Sequence, residues 1–127
     1  MITEDYCDFE TSKLLKEKGF NTSEIDAYFP FVYYSDGKID FYDDDKPSFV
    51  CEAVTLQMAM KWLREVHNKH ICSFPVVTDD DGIMGYWWED CIITDRRYNS
   101  VKTGKLYNSP EEAYEAAIKY CLTNLIK

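Results

Sequence analysis

Hydrophobic and polar positions are most sharply patterned near the C-terminus of this 127-residue chain. Ser109-Pro110-Glu111-Glu112 sets a serine at the N-cap, proline at the first helical position and glutamate at N3, a capping box. Beyond it, Tyr114, Ala117, Ile118, Cys121, Leu122 and Leu125 recur at i, i+3, i+4, i+7 spacing, with Glu115 and Lys119 as an i, i+4 pair on the other side. The spacing predicts an amphipathic helix over about 110–126. A central helix is predicted from an N-cap at Thr55 to about Lys69. On it Leu56, Ala59, Met60, Leu63 and Val66 share one face, which Met58 and Trp62 widen. So wide a stripe suits a helix covered on more than one side; a flank kept for a partner is the other reading. Upstream, Asp8 is expected to cap a first helix anchored by Leu14 and Leu15 and closed by Gly19 and Phe20. Asn21 to Tyr28 offers another helical turn.

Hairpins fill the gaps between these helices. Asp36-Gly37 is a two-residue turn signal between Phe31-Val32-Tyr33-Tyr34 and Lys38-Ile39-Asp40-Phe41-Tyr42. Such a turn pairs Tyr34 with Ile39 and Val32 with Phe41 and puts those four on the core face, leaving Asp40, Phe31, Tyr33 and Tyr42 opposite. A second hairpin is predicted to join Ile71–Thr78 to Ile83–Thr94 through Asp79-Asp80-Asp81-Gly82. A last short strand is expected at Lys105-Leu106-Tyr107, after a Thr103-Gly104 turn. The order α-ββ-α-βββ-α implies a single α+β domain over 1–127, an antiparallel sheet with helices on one face.

Composition narrows the function classes. Twenty-three acidic residues stand against fourteen basic ones, a formal charge of −9, with 16% aromatics. Such a surface repels phosphate, which argues against nucleic acid or an anionic membrane as direct partner, and the aromatics argue for a folded chain. The segment Met1-Ile2-Thr3-Glu4-Asp5 has neither the basic nor the apolar region of a signal peptide. Cys7, Cys51, Cys72, Cys91 and Cys121 are scattered and odd in number, which suits reduced thiols in a cytoplasm.

Candidate chemistry is thin. Asp79-Asp80-Asp81-Gly82 fits no calcium loop, because the loop would begin at Val77 and end at Trp88 instead of glutamate. His67, His70 and Cys72 sit together at a helix end without a second ligand pair, and histidines are common there for dipole reasons. No nucleophile elbow, P-loop or dinucleotide fingerprint is present. No metal, cofactor or catalytic residue is therefore expected. Two surface features remain. Arg96, Arg97, Lys102 and Lys105, interleaved with Tyr98 and Tyr107, form a basic cluster suited to an acidic protein patch, or a solvated loop balancing nearby carboxylates. Tyr86-Trp87-Trp88 and Phe31-Tyr33-Tyr42 put aromatics on both faces of their strands, for a partner interface or for burial under the first helix.

Three stretches carry a family resemblance: Thr55 to His67, the ending Tyr107-Asn108-Ser109-Pro110-Glu111-Glu112-Ala113, and the opening Glu4-Asp5-Tyr6-Cys7 leading to Leu14-Leu15-Lys16-Glu17-Lys18-Gly19-Phe20. They resemble small uncharacterised proteins of phages, prophages and mobile elements of gut Bacteroidales. The resemblance implies an accessory role in a bacterial host cytoplasm and assigns no functional residue. The expected function is non-enzymatic binding of a protein partner. An acidic mimic of nucleic acid that blocks a host defence or transcription protein is the alternative, and a small hydrolase or transferase is the second. A mimic needs carboxylates in a stripe at phosphate-like spacing; an ordinary binder needs an apolar patch with a polar rim.

The basic cluster holds four charges, so nucleic-acid binding through it has a salt slope of about −3.6 at most. In a fluorescence titration with duplex and single-stranded DNA and RNA at ~50 mM salt we expect no micromolar binding.

Overall fold

The computed structural model describes residues 4–21, 30–78, 82–94, 97–102 and 105–126. Along the chain these form α1 (Phe9–Glu17), β1 (Phe31–Tyr34), β2 (Ile39–Phe41), β3 (Phe49–Glu52), α2 (Leu56–His67), β4 (Lys69–Thr78), β5 (Gly82–Thr94), β6 (Arg97–Lys102) and α3 (Pro110–Tyr120). The fold is α+β, as the patterning implies. The possible turn at Asn21–Tyr28, the Asp79–Asp81 turn and the Thr103-Gly104 turn lie, wholly or nearly so, outside the described residues.

Each helix begins on the side chain expected to cap it. Asp8 accepts from Thr11 N–H at 2.8 Å, Thr55 from Met58 N–H at 3.1 Å and Ser109 from Glu112 N–H at 3.1 Å. The α1 terminus is a Schellman motif: Gly19 N–H donates to the Lys16 carbonyl at 3.2 Å, and Phe20 N–H to the Leu15 carbonyl at 2.9 Å. This turns the Phe20 ring inward against Trp62, 5.6 Å between centroids. Two ends differ from expectation. The central helix stops at His67, because Asn68 adopts the left-handed conformation (φ 55°) and releases Lys69 into β4. The last helix leaves α geometry at Tyr120 and widens into a π turn, Cys121–Leu125, with Cys121 and Leu122 fully buried.

Helices make the centre of the molecule. Leu15 and Phe20 from α1 and its terminus, Leu56, Ala59, Trp62 and Leu63 from α2, and Ile118, Cys121 and Leu122 from α3 and its extension share one core. Val66, expected on that face, is 61% exposed, since the last turn of α2 runs past its neighbours. Instead of one sheet beneath the helices there are two three-stranded antiparallel sheets, ordered β2-β1-β3 and β4-β5-β6. The first packs on α1 through Tyr33 and Cys51 against Tyr6 and Phe9. The second packs on α3 through Trp88 and Ile71 against Ala113 and Ala117. Strand β3 was not anticipated; it supplies the second neighbour of β1, whose Val32, Tyr33 and Tyr34 are all buried.

The first hairpin corrects the expected register by one residue. Tyr33 pairs with Ile39, Val32 with Asp40 and Phe31 with Phe41. Gly37 N–H donates to the Tyr34 carbonyl at 2.8 Å and Tyr34 N–H to the Lys38 carbonyl at 3.1 Å, so the loop holds three residues, 35–37. Gly37 takes φ +79°, the left-handed position that closes such a loop with a bulge. The slip turns Ile39 and Phe41 toward the α1 side, but β2 is an edge strand and α1 does not reach over it. Ile39 (42% exposed) and Phe41 (62%) therefore stand in water, as does Asp40, and the expected core face of Val32, Tyr34, Ile39 and Phe41 does not form.

The β4–β5 hairpin forms as predicted, Lys69 opposite Ile92 through Thr78 opposite Gly82, with a bulge beyond Val76. The expected third strand at Lys105–Tyr107 is displaced. β6 is Arg97–Lys102, and Tyr107 makes only an isolated bridge to Tyr86, its N–H and carbonyl bonding at 2.7 and 2.8 Å. Gly85 permits this approach, because a Cβ there would lie 3.0 Å from the Tyr107 carbonyl oxygen and 3.1 Å from Leu106 Cβ.

Leu63 is fully buried among all three helices. We expect Leu63→Ala to lower unfolding free energy by about 2–5 kcal/mol in urea denaturation, with an unchanged m-value.

Candidate functional site

The N-termini of α1 and α2 meet against the side of α3. The chain before α1 pairs with the chain before α2: Cys7 N–H donates to the Val54 carbonyl at 2.8 Å and Leu56 N–H to the Asp5 carbonyl at 3.0 Å. That short ladder sets the caps Asp8 and Thr55 side by side. From the opposite side, the Glu115 carboxylate of α3 accepts from Asp8 N–H at 3.0 Å, and Lys119 Nζ reaches Asp8 at 3.2 Å and Glu10 at 3.9 Å. The expected Glu115–Lys119 pair is absent among the described ion pairs. This side of α3 faces the start of α1 instead of solvent, and both side chains are drawn across the junction.

Where the N-termini converge, an open groove of about 480 Å³ remains. Its inner surface is Tyr6, Leu56, Tyr107 and Ala116; carboxylates of Asp5, Asp8, Glu111, Glu112 and Glu115 surround it, with Lys119 at one end. Some of these acids have local duties. Asp8 caps α1, while Glu112 accepts from Asn108 N–H at 3.2 Å and, with Glu111, complements the α3 dipole.

The ionisation of the junction follows from its burial. Burial raises Glu115 above the ordinary glutamate value, helped by the negative charge of Asp8 and opposed by the Asp8 N–H bond. Burial also works to raise Asp8, but the hydrogen bond from Thr11 and the ammonium of Lys119 outweigh it and hold Asp8 low. The Cys7 thiol beneath them is pushed well up by burial, then by Glu115 and Asp8. Burial likewise pushes Cys51 up to about 11. Both remain protonated at neutral pH, which works against either as a nucleophile.

A second surface lies on the first sheet. Ile39, Phe41, Tyr42 and Phe49 stay exposed, Phe41 and Tyr42 by more than half. Phe41 stacks on Phe31 at 4.6 Å and Tyr42 meets Phe49 edge-on at 5.7 Å. Phe31 in turn meets the groove's Tyr6 at 5.6 Å, so a row of rings runs from groove to sheet edge. Asp40, Asp43, Asp44 and Asp45 border the exposed rings, with Lys46 bonded to Asp40 at 3.4 Å. Three backbone groups at the sheet's edges are already bonded. Phe41 N–H donates to its neighbour Asp40 at 2.8 Å, the Phe41 carbonyl accepts from Tyr34 Oη at 2.9 Å, and on the far edge Lys16 Nζ donates to the Val50 carbonyl at 2.7 Å. Strand addition at either edge would first have to break these bonds.

The basic cluster is only partly placed. Arg96 lies outside the described residues. Arg97, Tyr98 and Lys102 are fixed by their backbone on β6, opposite Thr94, Ile93 and Glu89. Lys105 sits over the Tyr107 ring at 5.2 Å, and Tyr107 lines the acidic groove. Of the aromatics, Phe31 and Tyr33 lie against α1, Trp88 packs on Tyr120 of α3, and Tyr42 is left outside. His70 bonds to Asn68 at 3.1 Å, and His67 turns onto Trp62 at 4.6 Å. Among the described residues no group of three His, Cys, Asp or Glu side chains is arranged to hold a metal ion, and no helix is long and apolar enough to cross a membrane. The first-turn acids of α3 were a signal for part of the groove; Asp5 and Tyr6 carried none. No family model, curated protein or solved structure matches the chain.

Glu115→Gln keeps an acceptor for Asp8 N–H and removes a half-buried charge. A raised carboxyl pKa means that ionisation costs stability in the folded state, in full above the folded value and not at all below the ordinary 4.5. Thermal melts should therefore show Glu115→Gln more stable than wild type at pH 7, with the difference vanishing below pH 4.5.

Proposed function

We propose that this chain is a non-enzymatic accessory protein of a phage or mobile element. It acts by binding a protein in the bacterial cytoplasm through the aromatic edge of its first sheet. One observation carries the reading: Ile39, Phe41, Tyr42 and Phe49 remain in water on one small sheet, with Tyr42 and Phe49 in ring contact. Grouped exposed apolar side chains with a polar rim are the ordinary anatomy of a protein-binding patch. The bonded Phe41 N–H and carbonyl on one edge and Val50 carbonyl on the other favour contact through side chains. A nucleic-acid mimic has no use for these rings, which favours the ordinary binder.

The test compares wild type with the double variant Phe41→Ser/Tyr42→Ser, both immobilised and exposed to bacterial lysate. Both substitutions are at exposed positions, so the thermal melts should agree. Wild type should retain a defined protein that the double variant recovers at least tenfold less, about 1.4 kcal/mol of binding. Equal recovery overturns the reading, and equal recovery with release by duplex DNA points to the mimic.

A further inference from the structure

We propose that the groove at the three helix N-termini receives one lysine or arginine side chain of an extended partner segment, and that Phe41 receives an apolar side chain of the same segment. The inference rests on the protein-binding reading and adds the chemistry of the partner. The groove is more than a set of acids. Its inner surface of Tyr6, Leu56, Tyr107 and Ala116 suits the aliphatic stem of a long cationic residue, while its carboxylates suit the head. Its volume of about 480 Å³ falls in the range of ligand pockets.

Charge gives the sign of the occupant. Five carboxylates line the groove against a single ammonium, Lys119, which also meets Glu10, so the lining is net negative and suits a cationic head. Lys105, already drawn over the Tyr107 ring, shows that the lining accepts a cation on an aromatic face. A resident metal ion is disfavoured, because no group of three ligating side chains converges among the described residues.

Geometry sets the spacing. From Tyr6 to Phe31 is 5.6 Å and from Phe31 to Phe41 4.6 Å, ring to ring. An extended chain covers roughly 10 Å in three residues. The segment therefore carries its cationic and apolar residues about three apart, and Asp40 and Asp43 to Asp45 beyond Phe41 favour further basic flanks.

The probe is an acetylated nonapeptide of glycine and serine bearing one arginine and, three residues on, one leucine. Titrated into ¹⁵N-labelled protein, it should shift the amides of Tyr6, Glu111 and Phe41 with a Kd of about 1 mM or tighter. Replacing its arginine by glutamate should abolish the shifts. Glu111→Lys in the protein should weaken binding at least tenfold and Glu111→Gln by less, with thermal melts confirming the fold. Absence of shifts at the groove amides, equal binding by the glutamate peptide, or spermidine binding there as tightly as the peptide overturns the inference. If the peptide fails while lysate capture still depends on Phe41 and Tyr42, only this inference falls. If capture is independent of those residues, the protein-binding reading itself falls, whatever the peptide does.

Discussion

Asp8 is the constraint on which the architecture turns. Its carboxylate caps α1 and holds Lys119 of α3, while its own N–H is taken by Glu115 of the same helix. One residue thus fixes where α1 starts and how α3 lies across it. The adjacent ladder, Cys7 to Val54 and Asp5 to Leu56, adds α2. Exposed ion pairs are worth little singly, about 0–1 kcal/mol. The weight of this junction lies in the part-buried cap, whose loss would leave the Thr11 N–H without its acceptor.

With the N-termini gathered, the rest follows. The three helices close a core around Leu15, Leu63 and Ile118, and their outward sides each need cover. α1 finds it in the sheet containing Tyr33 and Cys51, α3 in the sheet containing Trp88. Neither sheet needs the other, which is why six strands divide into two groups of three. The groove is a by-product of the same gathering: helix ends cannot pack as closely as helix sides, and the acids that cap and complement them must face the remaining space.

What was legible in the residues was local. Asp8, Thr55 and Ser109 cap through bonds to the third residue on, and Gly19 with Phe20 closes α1 through its own last turn, so each could be read from neighbours. The β4–β5 hairpin was legible because its strands are long and continuous. Strand β3 was not: Phe49–Glu52 is four residues carrying Cys and Glu, and it exists because β1 offers an edge. Nor was the first hairpin's register, since Asp36-Gly37 serves a two-residue loop or a three-residue loop with a bulge. The choice depends on which face the sheet turns to α1, a long-range fact. The groove depended on Asp5 and Tyr6 meeting Thr55 and on α3 crossing α1, contacts spanning most of the chain. The basic cluster was read from its charges and the tyrosines between them, and Lys105 sits over the ring of Tyr107, which lines the groove.

The capped edges of the first sheet have a consequence for how such a surface can change over time. Exposed phenylalanines on an open strand invite fibril growth, because a second copy can pair backbone to backbone before side-chain fit matters. Here Asp40, Tyr34 and Lys16 occupy three of the groups that such pairing would use. The exposed side chains of Ile39, Phe41, Tyr42 and Phe49 can thereby change without disturbing the bonds that hold those backbone groups.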